Sequence, residues 1–244
     1  MNRIVSLADN SVVYEVANVT PLSHAVQLSE RFSNQIYLKR EDEQSVHSFK
    51  LRGAYQKMFS LSTSKRQKGV VASSAGNHAQ GVALAAQKLQ LKAVIVMPKS
   101  TPKIKVEAVQ RLGGEVVLHG DVYDDAYQHA KKLEAERDLN FIHPYDDLDV
   151  IAGQATVGKE VLEQMQDVEL VFVPVGGGGL IAGIASYIKH HRPEVKVIGV
   201  EPKDSPTLHE ALKNNRITVL EDVGRFADGV AVKQVGEKTF EIAR

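Results

Sequence analysis

The chain has 244 residues, 43% of them hydrophobic, with 30 basic and 30 acidic side chains and no formal net charge. That is material for one large domain or two small ones with an ample core, and it lacks the basic excess that would hold nucleic acid or an acidic membrane surface. There is no cysteine, which excludes disulfides and thiolate metal sites; no stretch nears the roughly 20 apolar residues of a membrane span, and no secretory pattern opens the chain, so a cytoplasmic protein is expected.

Residues 1–34 are mixed in pattern. Asn18-Val19-Thr20-Pro21-Leu22 reads as a turn into a helix carrying Leu22, Ala25, Val26 and Leu28, and Gln35–Arg40 reads as a strand. After an acidic segment from Glu41 to His47, Leu51, Ala54, Tyr55, Met58 and Phe59 take the spacing of an amphipathic helix. Ser48 is its expected N-cap. From residue 69 the pattern is regular. Strands are predicted at Val70–Ala72, Ala93–Met97, Glu115–Leu118 and Phe141–His143. Helices are predicted between them, starting near Ala79, over Lys103–Leu112 and over Asp121–Arg137. The pattern repeats with a helix at Ile151–Met165, a buried strand at Leu170–Val175, a glycine run, a helix through Ile188, a strand at Lys196–Val200 and a helix around Leu208–Leu212. Alternating strands and helices imply parallel βαβ units with right-handed crossovers. Val235, Thr239, Phe240 and Ile242 begin a further helix that stops at Arg244. A frayed terminal helix and a truncated domain are the two readings of it.

Three loops in this frame have chemical meaning. Lys50 stands in the first turn of its helix, where the positive end of the dipole disfavours its charged form. A neutral amine is a nucleophile able to form a Schiff base with an aldehyde cofactor, although a lone lysine is usually solvated. Gly176-Gly177-Gly178-Gly179-Leu180 lies between a strand and a helix, and its N–H groups can converge on a phosphate. No Lys-Ser or Lys-Thr follows, so it is not a Walker loop. Gly177, Gly179 and Ala182 also fit a dinucleotide fingerprint, with Glu201 placed as its ribose-binding acid. Tight packing alone is the plainer account of the glycines. Ser74-Ala75-Gly76-Asn77-His78 is a second small-residue loop at a helix start, suited to a carboxylate or to simple capping. His78 is read as a packing or hydrogen-bonding residue before a base, and His190-His191 as solvated.

Together these stretches carry a resemblance. His47–Ala54, Ser74–Gly81, Gly176–Leu180 and Phe226–Val232 make the chain similar to the fold-type II pyridoxal-phosphate enzymes, above all their biosynthetic threonine dehydratase (threonine deaminase) branch. The resemblance covers residues from about Val19 to Arg244. It implies an α/β, two-lobed, tryptophan synthase β-like fold, with residues 63–151 as a small lobe and residues 1–62 and 152–244 as a large one. It implies pyridoxal 5'-phosphate held covalently by Lys50, its phosphate on Gly176, Gly177, Gly178, Gly179 and Leu180, and its ring hydroxyl on Asn77. It places the substrate carboxylate on Ser74, Ala75, Gly76, Asn77 and His78. The implied reaction removes water and ammonia from L-threonine to give 2-oxobutanoate, the entry step to isoleucine, with serine a second substrate. Lys50 takes the α-proton. A homo-oligomer is expected.

Departures from the family pattern refine this. Ala75 stands where related serine racemases have a serine that serves the opposite face, which favours elimination over racemisation. Thr207 stands where those racemases have a second cation-binding carboxylate beside Glu201, so no metal is expected. The family's partner for the pyridine nitrogen and the isoleucine-binding regulatory domain would both fall beyond Arg244. The large lobe's sheet is therefore expected to be incomplete at the C-terminus, with a face unburied, low stability and weak activity. Two other readings stand beside this one. A nicotinamide-dependent oxidoreductase would use Gly177, Gly179, Ala182 and Glu201 but leaves Lys50 unexplained. A non-catalytic remnant would keep the fold without the chemistry.

Overall fold

A computed structural model of the chain describes residues 2–224 and 226–244. Helix α1 (Asn2–Asp9) opens it and buries Ile4, Val5 and Ala8. A short antiparallel pair follows, β1 (Leu22–His24) with β2 (Tyr37–Lys39), enclosing α2 (Val26–Phe32). Leu22 is thus in a strand rather than in the expected helix, because its backbone is claimed by pairing with Lys39. Helix α3 (Lys50–Ser60) comes next, capped at Phe49 by backbone geometry alone. Ser48 does not cap it, and its buried Oγ has no hydrogen-bond partner among the described residues.

The regular part is a sequence of α4 (Thr63–Lys68), β3 (Val70–Ser73), α5 (Asn77–Lys88), β4 (Ala93–Met97), α6 (Lys103–Arg111), β5 (Glu115–Leu118), α7 (Tyr123–Glu136) and β6 (Asn140–Phe141). Its strands form one parallel sheet in the order β5-β4-β3-β6. The two-residue period of a strand sorts the side chains between two cores. Val70, Ala72, Ile95 and Met97 pack with Ala79, Val82, Ala83 and Ala86 of α5. Val71, Val94 and Val96 pack with Ala126, Ala130 and Leu133 of α7. With both faces covered, β3 and β4 are buried throughout, which is why they read as continuous apolar runs. The chain moves outward from β3 to β5 and then returns to the other side of β3. The crevice above the carboxyl ends of β3 and β6 is therefore a topological switch point, where open α/β sheets place their ligands.

The remainder is α8 (Leu148–Gln164), β7 (Leu170–Pro174), α9 (Gly179–His191), β8 (Lys196–Val200), α10 (Thr207–Asn214) and α11 (Glu237–Ala243). α8 is the central post, buried on almost every side from Asp149 to Gly158. It meets α3 where Gly153 lies against Gly53, too close for any side chain: a Cβ on Gly153 would sit 2.6 Å from the Arg52 carbonyl oxygen. β7 and β8 pair in parallel. Val173 and Val175 face Ile181, Ile184 and Ile188 of α9. The opposite face is open, with Leu170 42%, Phe172 63%, Ile198 37% and Val200 50% exposed. β7 is therefore half covered, not the buried strand that its composition suggests.

Candidate active site

Lys50 is the first residue of α3 and is half-buried. Its Nζ donates to the Pro144 carbonyl oxygen at 3.2 Å and lies 5.4 Å from the centre of the Phe49 ring. Burial pushes its pKa down to about 8, with no carboxylate beside it to restore the charge. The amine is thus available in its neutral form near physiological pH, and desolvation is the cause. The backbone under Lys50 is fixed by α5. A Cβ on Gly81 would lie 2.9 Å from the Lys50 carbonyl carbon.

The same helix α5 begins with the second loop. Ser74, Ala75 and Gly76 are half-buried, Asn77 is exposed and His78 is buried. Gly76 N donates to Ser74 Oγ at 3.2 Å, which shapes the turn. Among the described residues, the N–H groups of Ala75, Asn77 and His78 have no protein acceptor. A side chain built on Gly76 would meet nothing within 4 Å, so the loop borders open space. This is a carboxylate-sized set of donors at a helix start. His78 turns away from it. Its Nε2 is 2.9 Å from the Ile142 carbonyl oxygen, and burial, with Lys50 nearby, lowers its pKa to about 3. It is a neutral, hydrogen-bonded residue, in keeping with its reading as structural.

Gly176–Leu180 joins β7 to α9. Gly178 has φ +91°, a left-handed conformation open to glycine at little cost. A Cβ on Gly177 would meet the Tyr145 ring at 2.3 Å. Packing thus accounts for part of the glycine run, but not for its donors. Among the described residues, the N–H groups of Gly176, Gly177, Gly178, Gly179 and Leu180 have no protein acceptor, although Gly177, Gly178 and Gly179 are buried. Buried N–H groups left unpaired are costly, and a run of them converging at a helix start fits a phosphate. Glu201, the acid required by the dinucleotide reading, is committed elsewhere. Its carboxylate accepts the N–H groups of Leu208 (2.8 Å) and His209 (2.9 Å) and the Thr207 hydroxyl (3.1 Å), so it caps α10. Glu201 is therefore not free to take a ribose.

The segment that ties these parts together is one that the sequence motifs do not flag. Leaving β6, the chain sends the Ile142 carbonyl to His78, the Pro144 carbonyl to Lys50 and the Tyr145 ring onto the glycine loop. His143 Nδ1 accepts the N–H groups of Tyr145 (3.2 Å) and Asp146 (2.7 Å), and burial lowers its pKa to about 4. Asp146 then caps α11, accepting N–H groups from Glu237, Lys238 and Thr239. The only sequence signal is a knot of His, Pro, Tyr and Asp just past a strand.

A lysine of lowered pKa at a switch-point crevice, flanked by one carboxylate-sized and one phosphate-sized set of N–H donors, has the groups that a fold-type II pyridoxal-phosphate site requires. The chain belongs to the pyridoxal-phosphate dependent enzyme family, which matches residues 13–244. Among its relatives is the L-threonine dehydratase biosynthetic IlvA of Pasteurella multocida, 54% identical over 96% of this chain and 46% of the relative. The chloroplastic biosynthetic threonine dehydratase of Arabidopsis thaliana is 57% identical over 95% and 39%. The processed threonine deaminase isoform 2 of Solanum lycopersicum superposes with a TM-score of 0.98, at 49% identity, covering 99% of this chain and 67% of that one. Maize serine racemase follows at 0.95 and 30% identity, covering 99% and 73%. The chain thus spans about half the length of the curated relatives that it matches. No helix among the described residues is long and apolar enough to cross a membrane.

Proposed function

We propose that this chain provides the catalytic lobes of a threonine ammonia-lyase, converting L-threonine to 2-oxobutanoate and ammonia, with serine as a second substrate. The observation that carries the proposal is the half-buried Lys50 amine, with a pKa of about 8, facing the crevice between two sets of unpaired N–H donors. Relatives named as threonine dehydratases at 51–57% identity support the substrate.

Pyridoxal phosphate bound here supplies an electron sink that acidifies the α C–H of an amino acid. Lys50 would anchor the cofactor, and its Nζ would accept the α-proton of the amino acid. The N–H groups of Gly176–Leu180 hold the phosphate. The Ser74–His78 loop holds the substrate carboxylate through the amides of Ala75, Asn77 and His78, and Asn77 offers its exposed side-chain amide to the ring hydroxyl. Ala75 carries no proton donor, so nothing at that position can return a proton to the opposite face, which favours elimination. Residues 63–151 form the lobe that presents the carboxylate loop, and residues 1–62 and 152–244 the lobe that presents Lys50 and the glycine loop. A cytoplasmic location and a homo-oligomeric assembly belong to the same proposal.

The test is the visible absorbance of the purified chain with pyridoxal phosphate, before and after threonine, beside Lys50→Ala. A Lys50-dependent band followed by 2-oxobutanoate supports the proposal. Absence of a band from a chain that melts cooperatively overturns the cofactor assignment. A band with no product from threonine or serine overturns the reaction.

A further inference from the structure

α11 is not a frayed end. Thr239 is wholly buried and Phe240 is 4% exposed, and Asp146 caps the helix from across the crevice. The position of Thr239 has a consequence for the glycine loop. Its Oγ1 donates to the Gly177 carbonyl oxygen at 2.7 Å and accepts from Gly236 N at 3.0 Å. Gly236 N also lies 3.2 Å from the same Gly177 oxygen. A trans peptide is planar, so fixing a C=O also fixes the N–H of the next residue in the opposite direction. With the Gly177 carbonyl turned toward α11, the Gly178 N–H is turned away from it, toward the crevice. The neighbouring peptides are held similarly. The Gly176 oxygen is 3.2 Å from Thr207 Oγ1, and the Gly178 oxygen accepts from Ala182 N at 2.9 Å. Thr207 is the weaker clamp, because its single proton is shared with the Glu201 carboxylate at 3.1 Å. Thr239 has a second acceptor too, the Gly236 carbonyl oxygen at 3.1 Å, but the Gly177 oxygen is the nearer at 2.7 Å and takes the proton.

We propose that Thr239 is a positioning residue for the anion cradle: its hydroxyl holds the Gly177 carbonyl outward, and thereby aims the Gly178 N–H at a bound phosphate. The proposal rests on the reading of Gly176–Leu180 as a phosphate loop. Thr239 touches no ligand itself. Gly178 lets the peptide rotate at little cost, and without the hydroxyl the Gly177 oxygen keeps only the longer contact from Gly236 N, at 3.2 Å.

The experiment titrates the wild-type chain, Thr239→Val and Thr239→Ser with pyridoxal phosphate and, separately, with pyridoxal, which lacks the phosphate. Visible absorbance reads binding, and a circular dichroism melt is taken on each protein. Thr239→Val keeps the side-chain shape and loses the hydroxyl. It should weaken pyridoxal-phosphate binding roughly tenfold, the scale of one buried hydrogen bond, and leave pyridoxal binding unchanged. Thr239→Ser should restore the wild-type preference. Thr239→Val with the wild-type ratio of the two affinities overturns the proposal, and so does an equal loss for both ligands, which would mean general loosening. A wild-type chain that does not prefer pyridoxal phosphate to pyridoxal defeats the phosphate-loop reading itself, and the proposal with it. That result comes from the wild type alone and is not confused with a failure of the variant.

Discussion

Arg52→Met should cost this chain several kcal/mol. The Arg52 side chain has no solvent exposure. Its guanidinium donates to both oxygens of Glu41 at 2.8 Å and to both oxygens of Glu160 at 2.6 and 3.1 Å. Thr156 Oγ1 and the Asn18 carbonyl, each at 3.1 Å, accept as well, so its five N–H groups are shared among six acceptor atoms. Lys39 lies 2.6 Å from Glu160, so the cluster holds two cations and two anions. Burial disfavours the guanidinium charge, but Glu41 and Glu160 outweigh it and hold the pKa above the normal arginine value. Removing Arg52 leaves Glu160, itself without exposure, with Lys39 alone, and takes from Glu41 the cation it is paired with, so the cluster keeps one cation for two anions. Breaking a buried pair from one side costs about 3–5 kcal/mol, a large part of the roughly 5–15 kcal/mol that holds a domain folded. At a urea dependence of about 3 kcal/mol per molar, the unfolding midpoint should fall by more than about 1 M. Arg52→Met combined with Glu160→Leu should recover most of that loss, since Lys39 and Glu41 then balance and the vacated volume is apolar. A single-variant cost below about 1 kcal/mol, or a double variant no better than the single, would refute the charge-balance argument.

Three further outcomes follow from the same geometry. The rate at which pyridoxal phosphate attaches to Lys50 should climb as pH rises toward about 8 and then level, because the neutral amine is the reactive form; stopped-flow absorbance checks it, and a flat profile contradicts the lowered pKa. His78 and His143 are held neutral by burial, with values of about 3 and 4 against 6.5 unperturbed. Below about 6.5 the unfolded chain binds protons that the folded chain refuses, so stability should fall with acidification from there toward about 4. Urea midpoints across that range should decline less in His78→Asn than in wild type. Phe172→Thr should reduce binding of an apolar fluorescent dye without lowering the melting temperature, since Phe172 is 63% exposed on the open face of the β7–β8 pair; unchanged dye binding would mean that the face is covered in solution.

Much of the fold was legible because it is local. Ala93–Met97, Glu115–Leu118 and Lys196–Val200 occur as strands with the expected bounds, since each is a short run bounded by turn residues. The elements missed are those made by distant partners. β1 is three residues long and exists through pairing with β2, while α1 draws its order from the surfaces of α8 and α9, which receive Ile4, Val5 and Ala8. Ser48 was legible as a cap by residue type, but α3 begins at Lys50 with its cap at Phe49, and the serine points into the interior. In the candidate site, Lys50, Ser74–His78 and Gly176–Leu180 stood out because loop chemistry at helix starts leaves a residue signature. His143–Asp146 did not, because what matters there is the direction of two carbonyls and one long-range cap.

That segment explains why the separate motifs can act as one site. A strand in the middle of a sheet spends its carbonyls on the ladder. β6 is two residues long and pairs with β3, and the chain leaves it at Ile142, beside the switch point. The carbonyls of Ile142 and Pro144 are thereby free to reach α5 and α3, and the side chains of Tyr145 and Asp146 reach the glycine loop and α11. His143 accepts the two N–H groups that follow it, so the turn keeps this shape only while its Nδ1 is unprotonated. The lysine, the carboxylate loop and the phosphate loop are therefore tied together by five consecutive residues, Ile142–Asp146, as well as by the packing of whole lobes. The proposed reaction would demand such control, because a displacement of about 1 Å at the reacting atoms can cost about a hundredfold in rate.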